Sequence, residues 1–247
     1  VNGLPIRRAH LVAGGRYHDI DFARLELLKL LAELPSVRTS VASGFGDLDS
    51  LGAADLLVTY TCDIAPNAAQ TEALRDFLER GGRWIALHGT NALLDFLGDG
   101  RIGVAKGHDA FMDLVGSRFM AHPPIGPFRV EIDEPDHPLT AGLEPFDIID
   151  ELYLFEARAP LRTLLHTHFK GSCAPFAAAD WDTDHAPVLY LRDLGAGSVL
   201  YLSLGHCRGH YDPSPNGAFV PHPLRCAWSY PVYYELLRRS LRWGFGF

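Results

Sequence analysis

Four short apolar runs separated by helical periods narrow the folds open to this chain. They fall at residues 8–13, 37–42, 55–60 and 84–87. After the first run, Phe22, Leu25, Leu28 and Leu31 recur at helical spacing, with Asp19 or Asp21 available to cap the helix and Pro35 to end it. Before the fourth, Ala73, Leu74, Phe77 and Leu78 make another stripe, in a helix expected to begin at Pro66. Strands alternating with helices at these distances predict a parallel sheet with right-handed crossovers and helices on both faces.

The stretch GGRWIALHGTN, residues 81–91, shows how the chain is punctuated. Gly81 takes the left-handed position that stops the preceding helix. Trp84-Ile85-Ala86-Leu87 then reads as a strand buried on both faces. His88 falls at its carboxyl end, where open α/β sheets place their ligands, and Gly89 permits a sharp turn or a close approach.

Beyond Asn91 the alternation weakens. Short helices are expected at 91–97 and 108–115, and strands at 128–133, 148–155 and 161–166. Residues 136–143 read as a turn with a short helix. Residues 187–192 and 198–204 flank a glycine-bearing loop and predict a β-hairpin. Ser229 is expected to cap a final helix with Pro231 in its first turn and Leu236, Leu237, Leu241 and Trp243 on its buried side. The aromatic group Trp228, Tyr230, Tyr233 and Tyr234 reads as core. No repeat or linker divides the chain, so residues 1–247 are expected to form a single domain.

Composition removes several function classes. The formal net charge is −8 and basic residues are not clustered, which argues against nucleic acid and anionic membrane surfaces as partners. No apolar run is long enough to span a bilayer, and the first residues lack the apolar core of a signal peptide. The four cysteines, Cys62, Cys173, Cys207 and Cys226, are widely spaced and predict free thiols in a reducing cytoplasm. Gly14-Gly15-Arg16 lacks the G-x-G-x-x-G pattern, so no nucleotide cofactor is expected. A homo-oligomer is compatible with this composition.

Twelve histidines point to metal or acid–base chemistry. His18, His88 and His206 each follow a predicted strand, and His122 lies in an excursion long enough to fold back over the same sheet edge. With a carboxylate they could hold a divalent metal such as zinc, or shuttle protons without one. Asp150 and Glu151 occupy successive positions of one predicted strand, so only one of them should face the site. His10, His137, His166, His168 and His185 read as hydrogen-bonded surface or loop residues.

Several of these motifs together resemble the ThuA-like, or trehalose-utilisation, family of the class I glutamine-amidotransferase-like superfamily. They are Gly14-Gly15 with His18, GGRWIALHGT, Gly116-Ser117-Arg118-Phe119 with His122, DHPLTAGL followed by DELY, and SLGH at 203–206. The resemblance implies a flavodoxin-like three-layer α/β sandwich, mostly parallel, with the hairpin added. It also implies carbohydrate catabolism on a sugar, disaccharide or 3-keto-glycoside as small-molecule substrate. His88 stands where amidotransferases carry their nucleophilic cysteine, which argues against glutamine hydrolysis. On this reading His18, His122 and His206 are the metal ligands, and His88, Glu151 and Asp150 are the catalytic residues. Tyr17, Asn91, Arg118, Tyr153 and His210 are the expected substrate contacts. The competing reading is a non-catalytic sugar-binding or regulatory module on the same scaffold.

Overall fold

Strand alternation sorts the apolar residues onto two faces, and each face is covered by its own helices. The computed structural model describes residues 5–209 and 222–247. In chain order the elements are β1 (Arg7–Gly15), α1 (Ile20–Ala32), β2 (Val37–Ala42), α2 (Leu48–Ala53), β3 (Leu56–Cys62), α3 (Ala68–Glu79) and β4 (Arg83–Leu87). A 3₁₀ turn at His88–Asn91 leads into β5 (Leu94–Phe96), β6 (Ile102–Val104), α4 (Asp109–Val115), β7 (Ser117–Ala121) and β8 (Gly126–Ile132). Then come β9 (Phe146–Asp150), β10 (Leu154–Ala157), β11 (Arg162–Ser172), β12 (Asp180–Leu194), β13 (Gly197–Leu202), a 3₁₀ turn at Cys226–Ser229 and α5 (Pro231–Phe245).

The main sheet has nine strands in the order β2-β1-β3-β4-β13-β12-β11-β8-β9. The pairs from β2 to β13 are parallel, and those from β13 to β9 are antiparallel. The expected α/β sheet is therefore present, and its antiparallel part runs beyond the expected hairpin to include β11, β8 and β9. Leu11, Val58, Ile85 and Leu200 face α1 and α5. Val12, Leu57, Trp84 and Val199 face the other way, against residues of α2, α3 and α4. This period-two division makes the three layers.

Several local expectations give way to tertiary context. In α1 the buried residues are Ala23, Leu27, Leu30 and Leu31, whereas Leu25 is 53% exposed; the sheet meets a stripe rotated from the predicted one. Asp19 is the cap, its carboxylate accepting from the Phe22 N–H at 3.2 Å. Pro66 precedes α3, and Asn67 caps it in a reciprocal pair with Gln70. The helix expected at 91–97 is replaced by the 3₁₀ turn and β5, because Leu94 and Phe96 pair with Val104 and Ile102. Residues 136–143 form turns without a helix. Ser229 ends the second 3₁₀ turn and caps nothing; Tyr230 precedes Pro231 at the start of α5. His10, expected near the surface, is buried and hydrogen-bonds Ser40 Oγ at 2.8 Å. Among the described residues no helix is long and apolar enough to cross a membrane.

Phe77 of α3 is fully buried, and its ring and carbonyl both press on Gly82, at the turn into β4. Phe77→Ala is expected to cost about 3–5 kcal/mol in denaturant unfolding, the range for deleting a buried aromatic ring. A loss below about 1 kcal/mol would show that this contact does not anchor the helix to the sheet.

Candidate functional site

Three strand ends and one break in a strand deliver a buried cluster of imidazoles around one carboxylate. After β1, the Arg16 N–H donates to the Cys62 carbonyl at 3.1 Å, and Tyr17 turns the chain at φ 67°. His18 is thereby buried, with its Nδ1 donating to the Arg16 carbonyl at 3.1 Å. After β4, His88 itself takes φ 43°, a left-handed conformation costly for a residue with a side chain. It is held there from several sides. Its Nδ1 donates to the Ser203 carbonyl at 2.6 Å, and its own carbonyl accepts from Tyr201 Oη at 2.7 Å. Gly89 must follow, because a Cβ there would stand 2.7 Å from the Thr61 carbonyl oxygen. After β13, Gly205 turns at φ 122° and sets His206 into the same space.

The acids occupy different roles from those predicted by strand alternation. β9 stops at Asp150, and residues 151–153 leave the sheet before β10 begins. The predicted single strand over 148–155 is thus two strands, and both carboxylates are buried at the site. Asp150 accepts from the N–H groups of Gly205 at 2.7 Å, His206 at 3.0 Å and Glu151 at 2.8 Å. Burial pushes its carboxyl up, against the opposing pull of His88 and these N–H groups. Glu151 projects into the histidines. Its Oε2 lies 3.6 Å from His88 Nε2 and 3.1 Å from His206 Nδ1, and its Oε1 lies 3.3 Å from His122 Nε2. Burial alone would raise Glu151, but His122, His206 and His88 outweigh it and hold the carboxyl well below its usual range.

One ligand atom each from His18, His88, His206 and Glu151 lies within 4.8 Å of all the others. His18 Nε2, His88 Nε2 and both ring nitrogens of His206 are buried without a hydrogen-bond partner among the described residues. Burial, then the neighbouring His88 and His206, push His18 well below the ordinary imidazole range, so it is neutral and its free nitrogen carries a lone pair. The carbonyls of Arg16 and Ser203 accept from Nδ1 of His18 and His88 and so fix their tautomers, leaving each Nε2 free, as backbone acceptors do behind metal-binding histidines. The residues therefore fit a divalent metal held by nitrogen and oxygen donors.

The four predicted histidines are brought together, three of them in one set of converging ligand atoms. His88 and Glu151, expected as proton carriers, belong to the convergent set. His122, expected as a ligand, stands outside it against the other oxygen of Glu151, with Nδ1 donating to the Pro123 carbonyl at 2.8 Å. Of the predicted substrate contacts, Tyr17 and Tyr153 line the adjoining cavity of about 80 Å³. Tyr153 also lies against His88, ring centroids 4.2 Å apart. Asn91 is buried in a hydrogen-bonded group with Ser117 and Tyr201 and does not reach the cavity. Arg118 is drawn away by Asp109 at 2.6 Å and by Glu156 at 3.4 Å. His210 lies outside the described residues.

The sequence reading missed Arg208, Phe119 and Phe176, which also line the cavity. Arg208 follows His206 by two residues and Phe119 precedes His122 by three, and those proximities are the signals the sequence offers. A larger groove of about 430 Å³ runs past Asp150 and Leu152 but contains none of the convergent histidines. His18, His122, Glu151 and His206 line the smaller cavity.

A family model described as trehalose utilisation matches residues 13–217. Comparison with curated proteins finds no match. Among solved structures, a ThuA-like protein from Bacteroides uniformis aligns over 99% of this chain and 94% of its own, at 17% identity and a TM-score of 0.68. A ThuA-like protein from Parabacteroides merdae aligns over 98% and 90%, at 16% identity and a TM-score of 0.66. A β-galactosidase from Bacillus circulans shares the fold over 81% of this chain and 28% of its own, at 12% identity and a TM-score of 0.51. At these identities the likenesses concern the fold.

Cys62 lines the cavity, but burial and the nearby Glu151 push its thiol well above the ordinary range. Burial also pushes Cys173 up to about 11 and Cys207 up to about 12. All four thiols should stay protonated at pH 8 and resist alkylation in the native protein, while the unfolded chain reacts at all of them. Rapid native labelling mapped to Cys62 by mass spectrometry would contradict this and reopen a thiolate chemistry.

Proposed function

This chain belongs to the ThuA, or trehalose utilisation, family, and from that premise we propose that it is a metal-assisted enzyme of carbohydrate catabolism. The substrate class is a sugar, disaccharide or 3-keto-glycoside, and the chemistry is proton transfer next to an oxygen held at the histidine cluster. The observation that carries the reading is the convergence on the Glu151 carboxylate of buried imidazole nitrogens that have no hydrogen-bond partner among the described residues. Such groups are costly to bury unless something occupies the point they share.

His18, His88, His206 and Glu151 would hold the metal, which when bound would polarise a carbonyl or hydroxyl oxygen and acidify the neighbouring C–H. The protein's own groups do the rest. His122 commits Nδ1–H to the Pro123 carbonyl, so Nε2 is the atom that takes up or releases a proton. That nitrogen lies 3.3 Å from Glu151 Oε1, at the edge of the histidine cluster. Phe119, Phe176 and Tyr17 give the cavity an apolar wall suited to the C–H face of a sugar ring and able to exclude water. Arg208 supplies N–H donors for sugar oxygens at the same cavity. Burial and the Glu151 charge push the Tyr153 hydroxyl well above the usual phenol range, so it acts as a donor and not as a base. The cavity, about 80 Å³ and lined by His18, His122, Glu151 and His206, would take one end of a sugar and leave the remainder outside.

Protein purified without a histidine tag should retain a transition metal by elemental analysis. His18→Ala and Glu151→Gln should each lower the metal content by one ion per chain, with the circular dichroism unchanged. Wild-type protein carrying no metal would remove the metal from the mechanism. Separately, His122→Gln should keep the metal and lower kcat on 3-keto-glycosides by about a hundredfold or more, the usual contribution of a general acid or base. Full activity in that variant would remove His122 as proton carrier. Sugar binding without turnover in wild-type protein would favour the non-catalytic module.

A further inference from the structure

A second convergence of ligand atoms lies among the antiparallel strands, using none of the residues above. Asp133 directly follows β8, and its N–H donates to the Leu164 carbonyl at 3.0 Å. His166 pairs with Glu131 in the same ladder, so Asp133 and His166 are held side by side. His185 comes from β12 by way of an irregularity. Between the pairs Thr167–Ala186 and Phe169–Thr183, β11 carries His168 alone while β12 carries Asp184 and His185. Two residues opposing one make a β-bulge, which bends a strand and re-aims its side chains. His185 packs on His166 with ring centroids 4.3 Å apart and 23° between planes.

The donors are close enough to share an ion. His166 Nδ1 and His185 Nε2 each lie 3.0 Å from Asp133 Oδ1, and the three ligand atoms all fall within 4.8 Å of one another. Donors on one tetrahedral ion at about 2.0–2.1 Å stand about 3.3 Å apart, so only small side-chain movements are needed. His185 Nε2 hydrogen-bonds the carboxylate, but His166 Nδ1 is buried and has no hydrogen-bond partner among the described residues. A ring nitrogen this near a carboxylate oxygen, yet off its hydrogen-bonding line, directs its in-plane lone pair beside that oxygen. An ion bridging the two would sit there. The His185 side chain is 49% exposed, which leaves solvent access to the remaining coordination positions.

We infer that Asp133, His166 and His185 form a second divalent-metal site that clamps β8, β11 and β12 together. Two imidazoles and one carboxylate select zinc, nickel or copper over magnesium and calcium, because nitrogen donors suit the later first-row metals. The site is independent of the proposed catalytic centre and needs neither its metal nor its activity.

Chelator-stripped protein without a histidine tag, titrated calorimetrically with Zn²⁺ in excess Mg²⁺, tests it. The variant His18→Ala/Glu151→Gln, which lacks the first centre, should still bind one Zn²⁺ per chain and gain Tm on binding. Adding His185→Ala and Asp133→Asn should abolish that ion and the Tm gain. In the otherwise wild-type protein the same two surface substitutions should lower the Zn²⁺ count by one, a comparison that holds even if the first-centre variant fails to fold. An unchanged count on losing His185 and Asp133 overturns the site, and so does displacement of the ion by Mg²⁺. Failure of the first centre alone would leave the Asp133 ion in place, so the two readings fail separately. Cu²⁺ bound to the first-centre variant should show coupling to two nitrogens in its electron paramagnetic resonance spectrum; a spectrum without nitrogen coupling also overturns it.

Discussion

The Asp150 carboxylate ties the candidate site together. It ends β9, the far strand of the sheet, yet accepts N–H groups from Gly205 and His206 in the loop after β13. A buried carboxylate is tolerable only when its lone pairs are used, and here three backbone donors use them. One consequence is positional: the bonds to Asp150 fix the backbone on both sides of the cluster, presenting His206 from one segment and Glu151 from the other. The Asp150 carboxylate thus holds backbone, whereas Glu151 is the carboxylate that meets the imidazoles.

The parallel half of the sheet supplies the opposite wall. β1 and β4 end at the same edge, and their last residues are followed at once by turns that a regular strand could not make. His88 bears the most constrained of these, with its ring nitrogen, its carbonyl and the following glycine all engaged by neighbours. Local strain of this kind persists only where surrounding packing over-determines it. The fully buried Trp84, Ile85, Ala86 and Leu87 provide that packing. Stability in the core and readiness in the site therefore come from the same strand.

Charge is arranged with similar economy. Among the described residues, Glu151 is the only carboxylate placed among the convergent imidazoles, while Asp150 is occupied by backbone donors. Burial, with His88 and His206 beside it, pushes His18 well below the ordinary imidazole range, which keeps that ring neutral. His122 sits at the edge of the cluster, with 25% of its side chain exposed.

What could be read along the chain were features with a short period or a fixed local chemistry. Apolar alternation marked β1 to β4, Gly81 stopped α3, and histidines followed three strand ends. Those signals determined the parallel α/β arrangement and placed His18, His88 and His206 on one edge, because parallel strands deliver their carboxyl ends together. Tertiary structure decided what depends on distant partners. It broke the predicted strand after Asp150, so that two acids meant for opposite faces both joined the site. It moved His88 inward and His122 outward, because the Ser203 carbonyl and the Pro123 carbonyl orient their rings differently. It withdrew Arg118 to Asp109 and Asn91 to Tyr201, and brought in Phe176 and Arg208. The bulge opposite His168 joined His185 to His166 and Asp133; along the chain the two histidines read as surface or loop residues and Asp133 as the end of a strand, because strand register is not visible there. Periodicity says which way a side chain leaves its own strand; which other side chains it meets depends on where strands stop, slip and turn, and those choices are made by contacts far apart in sequence.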